Sequence, residues 1–198
     1  MKKFLMTCAV LATFAYPALA AENITTCDKL AAHPEDPDRI APGVDKVPDL
    51  KAAIAACEAD VAKDMNNRRL RYQLARVLFY DQQTEKSLPH LRFAADAGSQ
   101  QAQFVLGYII DEALQGVKRE PCKVEDLWLK SARQGRMAAQ ISYPHHVINN
   151  MFEGCKVQAS PAEMDDFLAK AKQNAKGYYP QLLVKTIIAD YTRFKAGK

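Results

Sequence analysis

Residues 94–103, AADAGSQQAQ, are echoed by residues 131–140, SARQGRMAAQ, at an offset of 37 positions. Ala95 aligns with Ala132, Gly98 with Gly135, Ala102 with Ala139 and Gln103 with Gln140. Neither copy carries a catalytic constellation, so chemistry does not explain the recurrence. Packing does: small alanines let antiparallel helices approach closely, and glycine makes the tight turn into the next unit. A looser third copy, AKAKQNAKGYYPQLL, puts Gly177 at the glycine position 42 residues after Gly135. A degenerate earlier one reads AIAACEADVAKDMNNRRLRYQLARVL. Internal similarity at a period of roughly 30–45 residues in a helical chain is the mark of an α-solenoid.

The rest of the chain agrees with a helical reading. Leu70, Leu74, Val77 and Leu78 fall at i, i+4, i+7 and i+8, one face of a helix. Leu88, Leu91 and Ala95 form a second stripe, and Ala102, Val105, Leu106, Ile109 and Ile110 a third. No segment alternates with period two, so the fold class is all-α. The pattern predicts eight helices, at 48–63, 67–80, 85–97, 99–114, 123–134, 136–151, 161–176 and 179–195. Turn signals separate them at Asn66-Asn67, Gly98, Gly116 with Pro121, Gly135, Gly154 and Gly177. Ser160-Pro161-Ala162-Glu163 is a capping signal, and Gly98, Gly135 and Gly177 suit the left-handed position just past a helix. Residues 21–47 differ: with prolines at 34, 37 and 42 they read as an extended arm holding neither helix nor central strand.

The first residues, MKKFLMTCAVLATFAYPALA, have the parts of a secretory signal peptide: Lys2-Lys3, an apolar run from Phe4 to Ala15, and Ala18-Leu19-Ala20 before a cut. The apolar run is too short for a comfortable membrane span. Lipid attachment at Cys8 would leave only seven residues before it, too few for both regions of such a signal. Cleavage after Ala20 predicts a periplasmic or secreted protein of 178 residues with no integral membrane segment, an ordinary length for one domain. Its charge is nearly neutral, since loss of two lysines leaves 25 Lys+Arg against 23 acids. No basic stripe with interleaved aromatics points to nucleic acid, and Arg68-Arg69-Leu70-Arg71 reads as a solvated face at a helix start. Four cysteines remain, Cys27, Cys57, Cys122 and Cys155. An even count in an exported protein reads as two disulfides, with three connectivities open.

The pattern of an aromatic or Leu, then AA-x-x-G-x-x-x-A-x-x-x-LG-x-x-Y, resembles the Sel1-like repeat family, kin of tetratricopeptide repeats. Residues 93–98 with Ala102, Leu106-Gly107 and Tyr108 carry the match, and residues 128–135 with Ala139 carry a second copy. The likeness spans roughly residues 50–195, and two departures stand out. Pro144 follows Ile141-Ser142-Tyr143 where Leu-Gly belongs, threatening a kink. The loop 115–121 keeps only Gly116-Val117 of the family's glycine-rich loop. The resemblance implies a right-handed α-solenoid of antiparallel helix pairs over residues 48–198, tied to the N-terminal arm by disulfides. It also implies an exported bacterial adaptor or regulator of an envelope protein, which recognises a protein or peptide through the inner face of the first helices. Arg71, Gln73, Gln103 and Tyr108 are the candidate binding residues on that face. Because Cys122-Lys123-Val124-Glu125 and Cys155-Lys156-Val157-Gln158 fall in the same loop of successive repeats, the repeat frame implies Cys122–Cys155, leaving Cys27 to tie onto Cys57.

An envelope enzyme acting on cell-wall material is the alternative, and a structural subunit of a secreted complex a further one. No G-x-S-x-G, H-E-x-x-H or nucleotide-cradling glycine loop occurs, and no cofactor, metal or catalytic residue is predicted. His145 and His146 are adjacent, about 100° apart on a helix, and read as one half-buried and one exposed residue. His33 with Asp36 and Asp38 reads as loop solvation, and Asp165-Asp166 as acids favouring a helix start. Trp128 and Tyr178-Tyr179 read as core.

Overall fold

The computed structural model describes residues 23–197. The expected signal peptide and its cut after Ala20 lie outside the described residues. Within them the chain forms nine α-helices and no strand: α1 (Thr26–Ala31), α2 (Leu50–Lys63), α3 (Arg68–Tyr80), α4 (Thr84–Asp96), α5 (Gln100–Asp111), α6 (Pro121–Arg133), α7 (Met137–Ile148), α8 (Pro161–Asn174) and α9 (Tyr178–Ala196). Eight match the expected helices within a few residues. The ninth, α1, corrects the expectation of a helix-free arm. Thr25 and Asp28 close a capping box around its first turn, ahead of the first proline.

Helix starts follow side-chain chemistry. Asp49, Asn67, Ser99 and Ser160 each accept a backbone N–H of the following turn. Gly98 and Gly135, at φ 87° and 100°, sit just past α4 and α6 in the left-handed region that a side chain resists. Gly177 plays another part from the one expected. α8 ends at Asn174, and Gly177 is instead the residue before α9.

Each helix packs on its successor, and α7 also packs on α9, the arrangement of a solenoid. Two apolar clusters result. One joins α1, α2 and α3 through Cys27, Ala53, Cys57, Leu70, Leu74, Val77 and Leu78. The other runs from Tyr72 and Ala75 on the opposite side of α3 to Tyr191 on α9. Helix α3 therefore belongs to both clusters and couples the N-terminal part to the repeats.

The repeat motif has a steric reason. A Cβ on Gly107 would lie 2.4 Å from Trp128 Nε1, so only glycine lets α6 approach α5 this closely. Trp128 Nε1–H donates to the Phe104 carbonyl at 3.0 Å, which spends its one polar group within the pair. Pro144 occupies the position equivalent to Gly107 in the next repeat, and α7 continues through it as one helix.

Two buried clusters and two disulfides fasten the loops. Glu125 accepts from Tyr143 and from both nitrogens of Gln158, holding the loop before α8. Asp111 accepts from Arg119 and faces His146 Nε2 at 2.7 Å, holding the loop between α5 and α6. Cys122 is bonded to Cys155 and Cys27 to Cys57, the pairs implied by the repeat frame.

Candidate functional site

The arm does not hang in solvent. It lies against α3, and α3 holds it with three arginines. Arg76, buried in an otherwise apolar stretch, donates to the carbonyls of Ala31, Ala32, Val44 and Asp45 at 2.7–3.1 Å. One planar guanidinium thus satisfies two carbonyls at the end of α1 and two in the loop that leads to α2. Arg68 makes a two-pronged contact with Asp38 at 2.8 and 2.9 Å. Arg69 contacts Asp28 at 2.9 Å, both side chains buried, while Gln73 donates to the same carboxylate. The basic cluster at the start of α3 is therefore not a solvated face, because Arg69 points into the protein.

The arm reaches further along the same side of the repeats. The His33 ring meets the Tyr72 ring edge-on with centroids 6.5 Å apart. Beneath it lies an apolar pocket of about 60 Å³ bounded by Phe79, Tyr80, Val105 and Ile109 from α3 and α5. Beyond, Glu35 meets Arg136, at the start of α7, at 3.1 Å. Glu35 and Pro37 form one wall of a second groove of about 420 Å³. Its other wall comes from the N-terminal ends of α5, α7 and α9 through Gln100, Arg136, Met137 and Pro180, with Asn174 from the end of α8 and Gln134 and Lys176 from the adjoining loops.

Burial shapes the arm's titratable groups. Loss of solvent, reinforced by the charges of Arg76 and Arg136, pushes His33 down to about 4. Its Nδ1 accepts the Glu35 N–H at 3.0 Å, a bond that requires the neutral ring. Asp36 is buried rather than loop-solvated, and burial pushes its carboxyl up to about 6 against the opposing Asp38 N–H.

The expected binding residues separate into two groups. Gln73 has no solvent exposure and serves Asp28, and Gln103 is buried with its amide donating to the Ala95 carbonyl. Both are removed from the expected surface, because each closes a gap in the fold. Arg71 is half-buried, stacked over Phe93 and donating to His90 Nδ1 and the Met65 carbonyl. Tyr108 is 45% exposed on α5. Two further readings change. Tyr178 and Tyr179 are 72% and 79% exposed, so they are not core: among the described residues none covers that side of α9. His146 is buried against the Trp128 ring, at 4.5 Å between centroids, and His145 is the half-buried one. Burial pushes His146 down, against the opposite pull of Asp111. Among the described residues no cluster of three His, Cys, Asp or Glu side chains could hold a metal ion.

No family model and no curated protein matches this chain. Among solved structures, the crystal structure of a Sel1 repeat protein from Oxalobacter formigenes matches with a TM-score of 0.54 at 17% identity, over 67% of this chain and 97% of that one. The fold is Sel1-like. In this Sel1-like frame α3, α5, α7 and α9 are the first helices of successive pairs, and the arm crosses the starts or faces of three of them. Sequence reasoning passed over Arg76 and Arg136. The signal at Arg76 was an arginine inside the apolar run Leu74–Leu78, where a buried cation demands acceptors from elsewhere in the chain.

Proposed function

We propose that this protein is a polypeptide-binding repeat module, exported from the cytoplasm, that acts as an adaptor or regulator of an envelope protein. One observation carries the reading: the side built from the first helices already grips a polypeptide segment that pairs with no strand, the protein's own arm with its short helix and turns, through arginine contacts to backbone carbonyls and carboxylates. The same chemistry recognises a segment of any partner that presents carbonyl and acidic groups at the same spacing. Tyr80 and Tyr108, both about half exposed on α3 and α5, add amphipathic contact area of the kind that dominates interfaces. Export is supported by the leader-like first twenty residues and by disulfides that use all four remaining cysteines.

The test is capture from an envelope fraction with the mature chain as bait. Tyr108→Ala and Tyr80→Ala are expected to reduce capture at least tenfold while leaving the helical circular dichroism signal unchanged. Full capture by the double variant would remove this face as the recognition surface.

A further inference from the structure

We infer that the groove at the N-terminal ends of α5, α7 and α9 binds an acidic side chain carried on a proline-initiated turn of a partner polypeptide, a place that Glu35 of the arm fills intramolecularly. The inference rests on the polypeptide-binding reading above and adds the chemistry of one subsite.

Charge comes first. The groove is lined by two cations, Arg136 and Lys176, against one acid, Glu35, and that acid belongs to the arm. Arg136 is a preset receptor. Its side chain is only 10% exposed, its guanidinium stacks on Phe104 at 5.4 Å, and its Nε is buried with no hydrogen-bond partner among the described residues. A fixed guanidinium with unused donor capacity has lost its conformational entropy already, so an incoming carboxylate gains more from it than from a mobile lysine. The helices contribute in the same sense. Neither α7 nor α9 has a side-chain cap, so the positive ends of both dipoles remain without an acidic or hydroxyl acceptor.

Glu35 is held weakly. Its side chain is 59% exposed and makes one contact to Arg136 rather than a two-pronged one. Exposed single-contact ion pairs are among the weakest interactions in a protein. The occupant is therefore exchangeable, and it shows what fits: a carboxylate on a proline-initiated turn, closed by the Asp36 N–H on the His33 carbonyl at 3.0 Å, in the setting Pro34-Glu35-Asp36-Pro37. The space favours a peptide over a small anion. About 420 Å³ is far more than one carboxylate needs, and the side-chain amides of Gln100 and Asn174 offer donors and acceptors to peptide groups, while Gln134, whose amide nitrogen already serves Gln103 and Lys130, offers an acceptor.

The probe is acetyl-Pro-Glu-Asp-Pro-amide, titrated into the full mature chain and followed by amide chemical shifts, with the Pro-Gln-Asp-Pro peptide as control. Glu35→Gln is expected to bind the acidic probe about two- to fivefold tighter than wild type, by removing the internal competitor. Shifts should centre on Gly135, Met137 and Lys176. Adding Arg136→Gln or Lys176→Gln to Glu35→Gln should weaken binding at least tenfold, while Arg136→Lys retains part of it. Equal binding of the two probes, indifference to Arg136→Gln with an unchanged circular dichroism signal, or displacement by equimolar inorganic phosphate would each overturn the subsite. Envelope capture that persists in those cases keeps the module and rejects this groove. Loss of capture in the Tyr80 and Tyr108 variants alone does not affect the subsite.

Discussion

At the scale of single residues, stability concentrates in buried polar groups whose partners lie far apart in sequence. Asp28 is the clearest. It accepts from Thr25, Arg69 and Gln73, so α1 and α3 depend on one carboxylate. Asp28→Ala leaves a buried guanidinium without its counter-ion and should destabilise the fold by about 3–5 kcal/mol. Urea unfolding would show this as a lowered midpoint at unchanged slope. Gly107 acts through space instead. Gly107→Ala drives a methyl into the Trp128 indole and should cost about 1–3 kcal/mol as the two helices part. Trp128 is the protein's one tryptophan, so a red-shifted emission would report the displacement directly.

At the scale of elements, the helices were readable because their signals are local, and the repeat because it copies such a local pattern at a fixed offset. Apolar face, the cap at Ser160 and the turns at Asn67, Gly98 and Gly135 all come from residues within a few positions of one another. What the pattern hid depended on distance. Gln73 and Gln103 lie on helix faces that look available until α1 and the neighbouring repeat are in place. Arg136 and Glu35 are 101 residues apart, and no spacing rule joins them. Helix α1 was obscured by the prolines after it, although its Thr25–Asp28 capping box was already in the sequence. The disulfides differ by the same logic of position. Cys27 and Cys57 have no solvent exposure, whereas Cys122 is exposed and Cys155 half-buried. Reductant reaches an accessible bridge first. Under native conditions, limited dithiothreitol followed by alkylation and mass spectrometry should label Cys122 and Cys155 well before Cys27 and Cys57. Simultaneous labelling would mean that α1 opens as readily as the loop between repeats.

For the whole molecule, the sharpest consequence concerns acid. In the fold His33, His90 and His146 are all held below the ordinary histidine value, burial being the leading cause in each. Below about pH 6.5 the unfolded chain takes up protons that these folded rings refuse, so their contribution is present above that pH and is lost as pH falls. Asp36 works in the opposite direction. Its folded carboxyl takes a proton near 6 whereas the unfolded one waits until about 3.8, so between those values acid favours the fold. His33 and Asp36 are three residues apart on the same arm and titrate over nearly the same window, and their effects largely offset. The arm therefore stays seated across mild acid, and the net loss of stability falls to His90 and His146. Removing one member of the opposed pair exposes the other. Asp36→Asn should make urea midpoints fall more steeply between pH 6.5 and 4, and His33→Gln should flatten the fall. The tilt in each case is about 1–2 kcal/mol across the window, because His33 keeps part of its ring in solvent. Midpoints measured at pH 4, 5, 6 and 7 for both variants decide the matter: parallel slopes in wild type and Asp36→Asn would place that carboxyl in water rather than under the arm.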